Sequence, residues 1–88
     1  MDSLAHIFNL IRQERVYQDR KWGSIKENPH TIEEWVEIID VLGATAYNNQ
    51  DTDKVNDVKS LTEILQIAAV SCACLEQYED ELKDYKGR

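Results

Sequence analysis

Apolar residues recur at helical spacing in three stretches, separated by two breaks. In the first, at about 3–20, Leu4, Ile7, Phe8 and Ile11 follow an i, i+3, i+4, i+7 pattern. That pattern predicts an amphipathic helix with one apolar stripe. Its polar remainder carries Arg12, Glu14, Arg15, Gln18, Asp19 and Lys21. The run WGSIKENPH then ends the periodicity. Gly23 and Pro29 punctuate it, and Asn28 is pushed away from helical angles by the proline that follows. Trp22 opens this break and is expected to lie over one end of the core, as large aromatic side chains usually serve packing.

The second stretch starts cleanly. Thr31 is a good N-cap, and Glu34 three residues on completes a capping box. Trp35, Ile38, Ile39 and Leu42 form the expected buried stripe, with Val36, Val41 and Ala46 beside it. Gly43 falls inside the helix, at a cost of about 1 kcal/mol relative to alanine, and would let another backbone approach closely. The run NNQDTD is expected to end this helix and turn the chain.

The third stretch, at about 53–85, is long for so small a protein. Val58, Leu61, Leu65, Ala68, Cys72, Leu75 and Leu82 sit three, four or seven apart and predict its buried stripe. Ser60 and Glu63 have capping-box spacing, so a kink or fresh start is expected near Lys59. The small side chains of AAVSCAC suit a packed core or a dimer seam.

Three helical segments with few turn residues, three Gly and one Pro among 88, define an all-α fold. The expectation is one domain over 1–88, a bundle of three to four helices with a charged tail at 80–88. A chain this short buries too little surface to be robust alone, so dimerisation is expected to complete it. The 42% hydrophobic content excludes a disordered chain. A net charge of −7 opposes DNA or RNA as a partner, which would need clustered Lys and Arg. It leaves room for a small phosphorylated ligand if a divalent cation reverses the local sign.

Cys72 and Cys74 are two apart on a helix and cannot face each other, so no mutual disulfide is expected. No His lies near them to complete a zinc set. Small, buried packing residues are the expectation. The first residues lack the continuous apolar core of a signal peptide, and no apolar run is expected to span a membrane. A reducing cytoplasm follows as the expected compartment.

The acidic residues carry the candidate chemistry. At 100° per residue, Glu33, Glu37 and Asp40 fall along one strip of the second helix, with Glu34 beside it. On the third, Glu63 stands one turn before Gln66, close to the apolar stripe. A carboxylate there costs several kcal/mol if buried without a partner. If the two helices pack antiparallel, the Glu37/Asp40 strip would look across at Glu63. Oxygen ligands arranged so suit Mg²⁺ or Mn²⁺ held jointly with phosphates. The same spacing also describes an ordinary solvated helix face. His6 and His30 lack matched partners, and there is no glycine-rich phosphate loop or nucleophile motif.

Three segments together resemble small MazG-like proteins, many of them phage-associated. ERVYQDRKWG, from Glu14 to Gly23, is similar to the E-R-x-x-Q-x-x-K-W-G opening of that group. HTIEEWVEII is similar to the W-x-x-I-L stretch that follows, and TEILQIAAVSCACLE to its E-L-x-Q-V-A-A-V segment and tail. The resemblance covers roughly residues 7–78. It implies an all-α nucleoside triphosphate pyrophosphohydrolase fold, a homodimer or a homotetramer built from dimers. Carboxylates on two helices would bind Mg²⁺, and water would cleave the phosphate chain to a monophosphate and pyrophosphate. A working enzyme of this kind would use Glu37, Asp40 and Glu63 for the metal, the upstream Glu33, Glu34 and Glu37 standing in for the group's carboxylates only with a shift of one to two turns. Arg15 or Lys21 would meet phosphates, and Trp22 would lie near the base.

The chain departs from that pattern at the acids. Where the group carries E-E-x-G-E, this sequence has DVLGA, keeping Asp40 and replacing the others with Val41 and Ala44. Gln66, a poorer Mg²⁺ ligand, stands where classical members have Asp. Two expectations follow: a pyrophosphohydrolase, or a catalytically silent helical dimer acting as a structural or interaction module.

Overall fold

A computed structural model describes residues 2–48 and 54–87, with side chains from 57 onward in the second part. Four helices follow in order: α1 (Ser3–Trp22), α2 (Ile32–Asn48), α3 (Lys54–Gln77) and the single turn α4 (Glu79–Leu82). The fold is all-α, as the periodicity predicts. The run 49–53, read as a turn, lies outside the described residues.

The helix ends follow local chemistry. Asp2 caps α1, its carboxylate accepting from the Leu4 N–H at 2.9 Å. Gly23 closes the helix at φ +87°, donating its N–H to the Asp19 carbonyl at 2.9 Å. That backbone angle favours glycine. The capping box forms as read: the Thr31 N–H donates to Glu34 at 2.8 Å, and the Glu34 N–H donates to the Thr31 hydroxyl at 3.1 Å.

α3 is the spine. Both α1 and α2 pack on it, while no residue pair from α1 and α2 brings its Cα atoms within 8 Å. The core is small: Trp35 on α2 meets Val70 and Ala73 on α3, with Ile25, Ile38, Ile39 and Leu42 around them.

The buried face of α3 is not the one the apolar spacing picks out. Ser60, Ala69, Val70 and Ala73 are buried, whereas Val58, Leu61 and Leu75 are exposed. α3 is apolar on two sides, and the small side chains take the inner one because they let α1 and α2 come close. Ser60 starts no new helix. α3 runs unbroken through it, and its hydroxyl donates to the Ala46 carbonyl of α2 at 2.9 Å.

Other expectations are corrected in the same way. Leu4, Ile7 and Phe8 are exposed, because the start of α1 overhangs the core. Trp22 is 56% exposed and does not lie over the core cluster, on which Ile25 packs instead. Val36 and Val41 are exposed. At Gly43 nothing outside its own helix lies within 4 Å of where a Cβ would stand, so no close approach uses it in this chain. Within α3, Asp57–Gln77 has a mean hydropathy of 1.4 and is long and apolar enough to cross a membrane, contrary to the sequence expectation. Core helices share that composition, and α3 is the helix on which α1 and α2 pack.

Candidate functional site: a cleft between α1 and α2

Because α1 and α2 flank α3 without meeting, a cleft opens between them over the spine. Its volume is about 750 Å³. Gln66, Val70 and Ala73 form the floor from α3. These three lie on one side of the helix, at steps of four and three. The α1 wall includes Arg15, Gln18 and Trp22, and the α2 wall includes Glu37, Ile38 and Val41. The connecting segment 23–31 closes one side with Ile25, Asn28 and His30.

That connecting segment is held by the far end of α3. The Gln77 side-chain oxygen accepts from the His30 N–H at 3.1 Å and from the Trp35 indole N–H at 3.0 Å. The Gln77 amide nitrogen donates back to the His30 carbonyl. The Tyr78 hydroxyl donates to the same carbonyl at 3.0 Å. The His30 ring meets the Trp35 ring edge-on, with centroids 4.7 Å apart. Sequence reading missed Gln77 and Tyr78. The signal was there for Gln77, which continues the 66, 70, 73 series by four and so falls on the face turned toward the other helices.

The α1 wall is held by the residues of the E-R-x-x-Q stretch. Gln18 is 5% exposed and donates to the Glu14 carboxylate at 3.2 Å and to the Gln66 carbonyl on α3 at 3.4 Å. Arg15 donates to Asp19 at 2.8 Å and to both carboxylate oxygens of Glu76 on α3, at 2.8 and 3.2 Å. This two-pronged pairing is the strong geometry for arginine. It raises the Arg15 pKa further above its ordinary range, the Glu76 hydrogen bond being the largest cause. Arg15 therefore lines the cleft with its charge already matched by two acids. Beyond it, Asn28 donates its side-chain amide to the Trp22 carbonyl, which ties the end of α1 to the connecting segment.

The six residues singled out from sequence separate into two groups. Arg15, Trp22 and Glu37 line the cleft; Lys21, Asp40 and Glu63 do not. Lys21 is exposed, and its ammonium lies 5.0 Å from the Trp22 ring centroid and 5.9 Å from that of Tyr17. Asp40 is exposed, and Glu63 is half-buried on α3. Glu63 stands about one turn before Gln66 on α3 and is not among the residues that line the cleft. Among the described residues no three His, Cys, Asp or Glu side chains stand close enough together to hold a metal ion. Of the three candidate metal residues, Glu37 lines the cleft, while Asp40 and Glu63 do not.

Cys72 and Cys74 are free, as expected, and both are half-buried. Cys74 packs against the core, and burial pushes its thiol pKa up.

No family model, curated protein or solved structure matches this chain.

Proposed function

We propose that this protein is a MazG-like, pyrophosphohydrolase-related binder of nucleoside triphosphates, and that the ligand enters the cleft between α1 and α2. One observation carries this reading. The cleft has the volume of a small-molecule site and joins aromatic and aliphatic walls to a few convergent polar groups. Trp22 and the His30 ring offer surfaces for a base. Asn28 and Gln66 offer hydrogen bonds, and Arg15 is the cation on the wall.

The charge at the cleft sets a condition. Asp19 and Glu37 stand on its walls, and Arg15 is already paired. A bare triphosphate meets no net positive field there. Mg²⁺ or Mn²⁺ would arrive as the counter-ion of the phosphates, with Glu37 the carboxylate on the α2 wall. Hydrolysis is a further step for which this chain shows fewer carboxylates than the group it resembles.

The test is calorimetric titration with a panel of canonical and modified nucleoside triphosphates, with Mg²⁺, with Mn²⁺ and with chelator, alongside a pyrophosphate assay. Metal-dependent binding weakened by Trp22→Ala is the expected result. Absence of binding across the panel would leave the other reading, a catalytically silent helical dimer serving as a structural or interaction module. That reading draws on a different observation, the apolar outer side of α3.

A further inference from the structure

The side-chain amide of Gln18 is held in one orientation. Its nitrogen donates to two groups that can only accept, the Glu14 carboxylate at 3.2 Å and the Gln66 carbonyl at 3.4 Å. Turning the amide over would set its oxygen against both acceptors, so the oxygen points away from them. That oxygen, Oε1, accepts no hydrogen bond from any described residue. Gln18 is only 5% exposed. Among the described residues no sealed side-chain nitrogen or oxygen lacks a partner. The Gln18 oxygen therefore reaches open space, and the space that Gln18 lines is the cleft.

An unpaired acceptor at the edge of a buried side chain is half of a hydrogen bond, and a ligand would bring the other half. The surroundings say which kind of ligand. Asn28 repeats the arrangement: its nitrogen donates to the Trp22 carbonyl, which leaves its oxygen to the cleft. The carboxylates of Asp19 and Glu37 add further acceptors to the walls. The polar groups of the cleft thus match a ligand edge that is rich in N–H donors. Trp22 follows Gln18 by four residues, on the same face of α1. A base lying against the Trp22 ring carries its edge along the helix toward the Gln18 oxygen.

On the reading of the cleft as a nucleoside triphosphate site, on which this step rests, we infer that Gln18 selects bases that carry an exocyclic amine, adenine and cytosine. The amine donates to Gln18 Oε1. Uracil, hypoxanthine and guanine have a carbonyl at the equivalent position, which would set oxygen against oxygen beside the Glu14 charge. Gln18 then has two duties: its nitrogen fastens α1 to α3, and its oxygen determines specificity. A site built around a hydrogen bond rejects the analogue that lacks it far more strongly than an apolar pocket rejects a change of size.

The experiment is calorimetric titration of the full chain, in Mg²⁺, with triphosphates that differ in the amine. Adenosine triphosphate is compared with the inosine and purine-riboside triphosphates, and cytidine triphosphate with uridine triphosphate. Each amino member should bind about tenfold more tightly than its counterpart. Purine riboside lacks the amine without placing an oxygen there, so its deficit measures the hydrogen bond itself. Gln18→Met, with helicity checked by circular dichroism, should bring each ratio close to one; if that variant does not fold, the ratios on the parent chain decide. Equal affinities within the pairs, a preference for the carbonyl bases, or a preference that survives in folded Gln18→Met would each overturn this inference and leave the cleft a nucleotide site. Absence of binding by every triphosphate would overturn both.

Discussion

The side-chain oxygen of Gln77 lies 3.0 Å from the indole nitrogen of Trp35, joining the last turn of α3 to the first turn of α2. The same oxygen takes the His30 N–H, so one amide fixes both the core tryptophan and the wall of the cleft. Replacing it with Gln77→Leu keeps most of the volume but strands two part-buried donors. An unmet donor costs on the order of 1–3 kcal/mol. Urea denaturation should therefore show a loss of about 2 kcal/mol or more, with Trp35 fluorescence shifting to the red. An unchanged midpoint would mean that water replaces the amide without cost.

Gly23 should tolerate no side chain. Its φ is +87°, and an added Cβ would stand 2.7 Å from the Asn28 amide nitrogen. The same amide holds the Trp22 carbonyl, so the neighbour cannot move away without breaking a bond. Gly23→Ala should destabilise by more than about 1 kcal/mol. Chemical denaturation of the pair measures it, and a neutral substitution would contradict the described turn.

The capping box makes part of the stability depend on acid. The Glu34 carboxyl is held below its ordinary 4.5 chiefly by the Thr31 backbone N–H, with the Thr31 hydroxyl and His30 adding to the effect. A lowered carboxylate pKa contributes stability above the unfolded value, and the contribution is lost as pH falls through the folded one. Glu34→Gln should flatten the acid limb of a stability–pH curve below about pH 5 and leave the limb above neutrality unchanged. Thr31→Ala should cost about 1 kcal/mol at neutral pH.

Arg15 and Glu76 give a prediction that separates a ligand site from a structural cleft. Glu76→Gln removes one of the two acids that match the Arg15 charge. If phosphates enter the cleft, this variant should bind Mg²⁺–nucleoside triphosphate several-fold more tightly than the parent, at some loss of stability. A variant that is less stable but no better a binder would place Arg15 wholly in the scaffold.

The cysteines offer a chemical readout of packing. With its thiol pKa raised by burial, Cys74 should be alkylated by iodoacetamide at pH 8 more slowly than in urea. Mass-spectrometric time courses would show equal rates if Cys74 were as open as in the unfolded chain.

The helices were legible because periodicity and caps are local. Thr31 and Glu34 sit three residues apart and form the box that their spacing announces. The orientation of α3 was not legible, since Leu61, Leu65 and Leu75 give as regular a stripe as the inner face does. Hydrophobicity ranked the leucines first, while closeness of packing chose Ala69, Val70 and Ala73. The cleft was legible only in pieces. Trp22, Arg15 and Glu37 were singled out and do line it, but the partner that quenches Arg15 stands 61 residues away. Nothing in the local sequence around either residue names the other.

Making α3 the common support of α1 and α2 has a kinetic consequence. The end of α1 can fray without disturbing its neighbours, whereas opening the middle of α3 releases α1 and α2 at once. Amide protons around Ala69 and Val70 should therefore exchange with deuterium only through loss of the whole fold, and those of residues 3–9 through cheap local opening. The slowest-exchanging amides would then form a single helical segment, and their rates would give the global unfolding free energy directly.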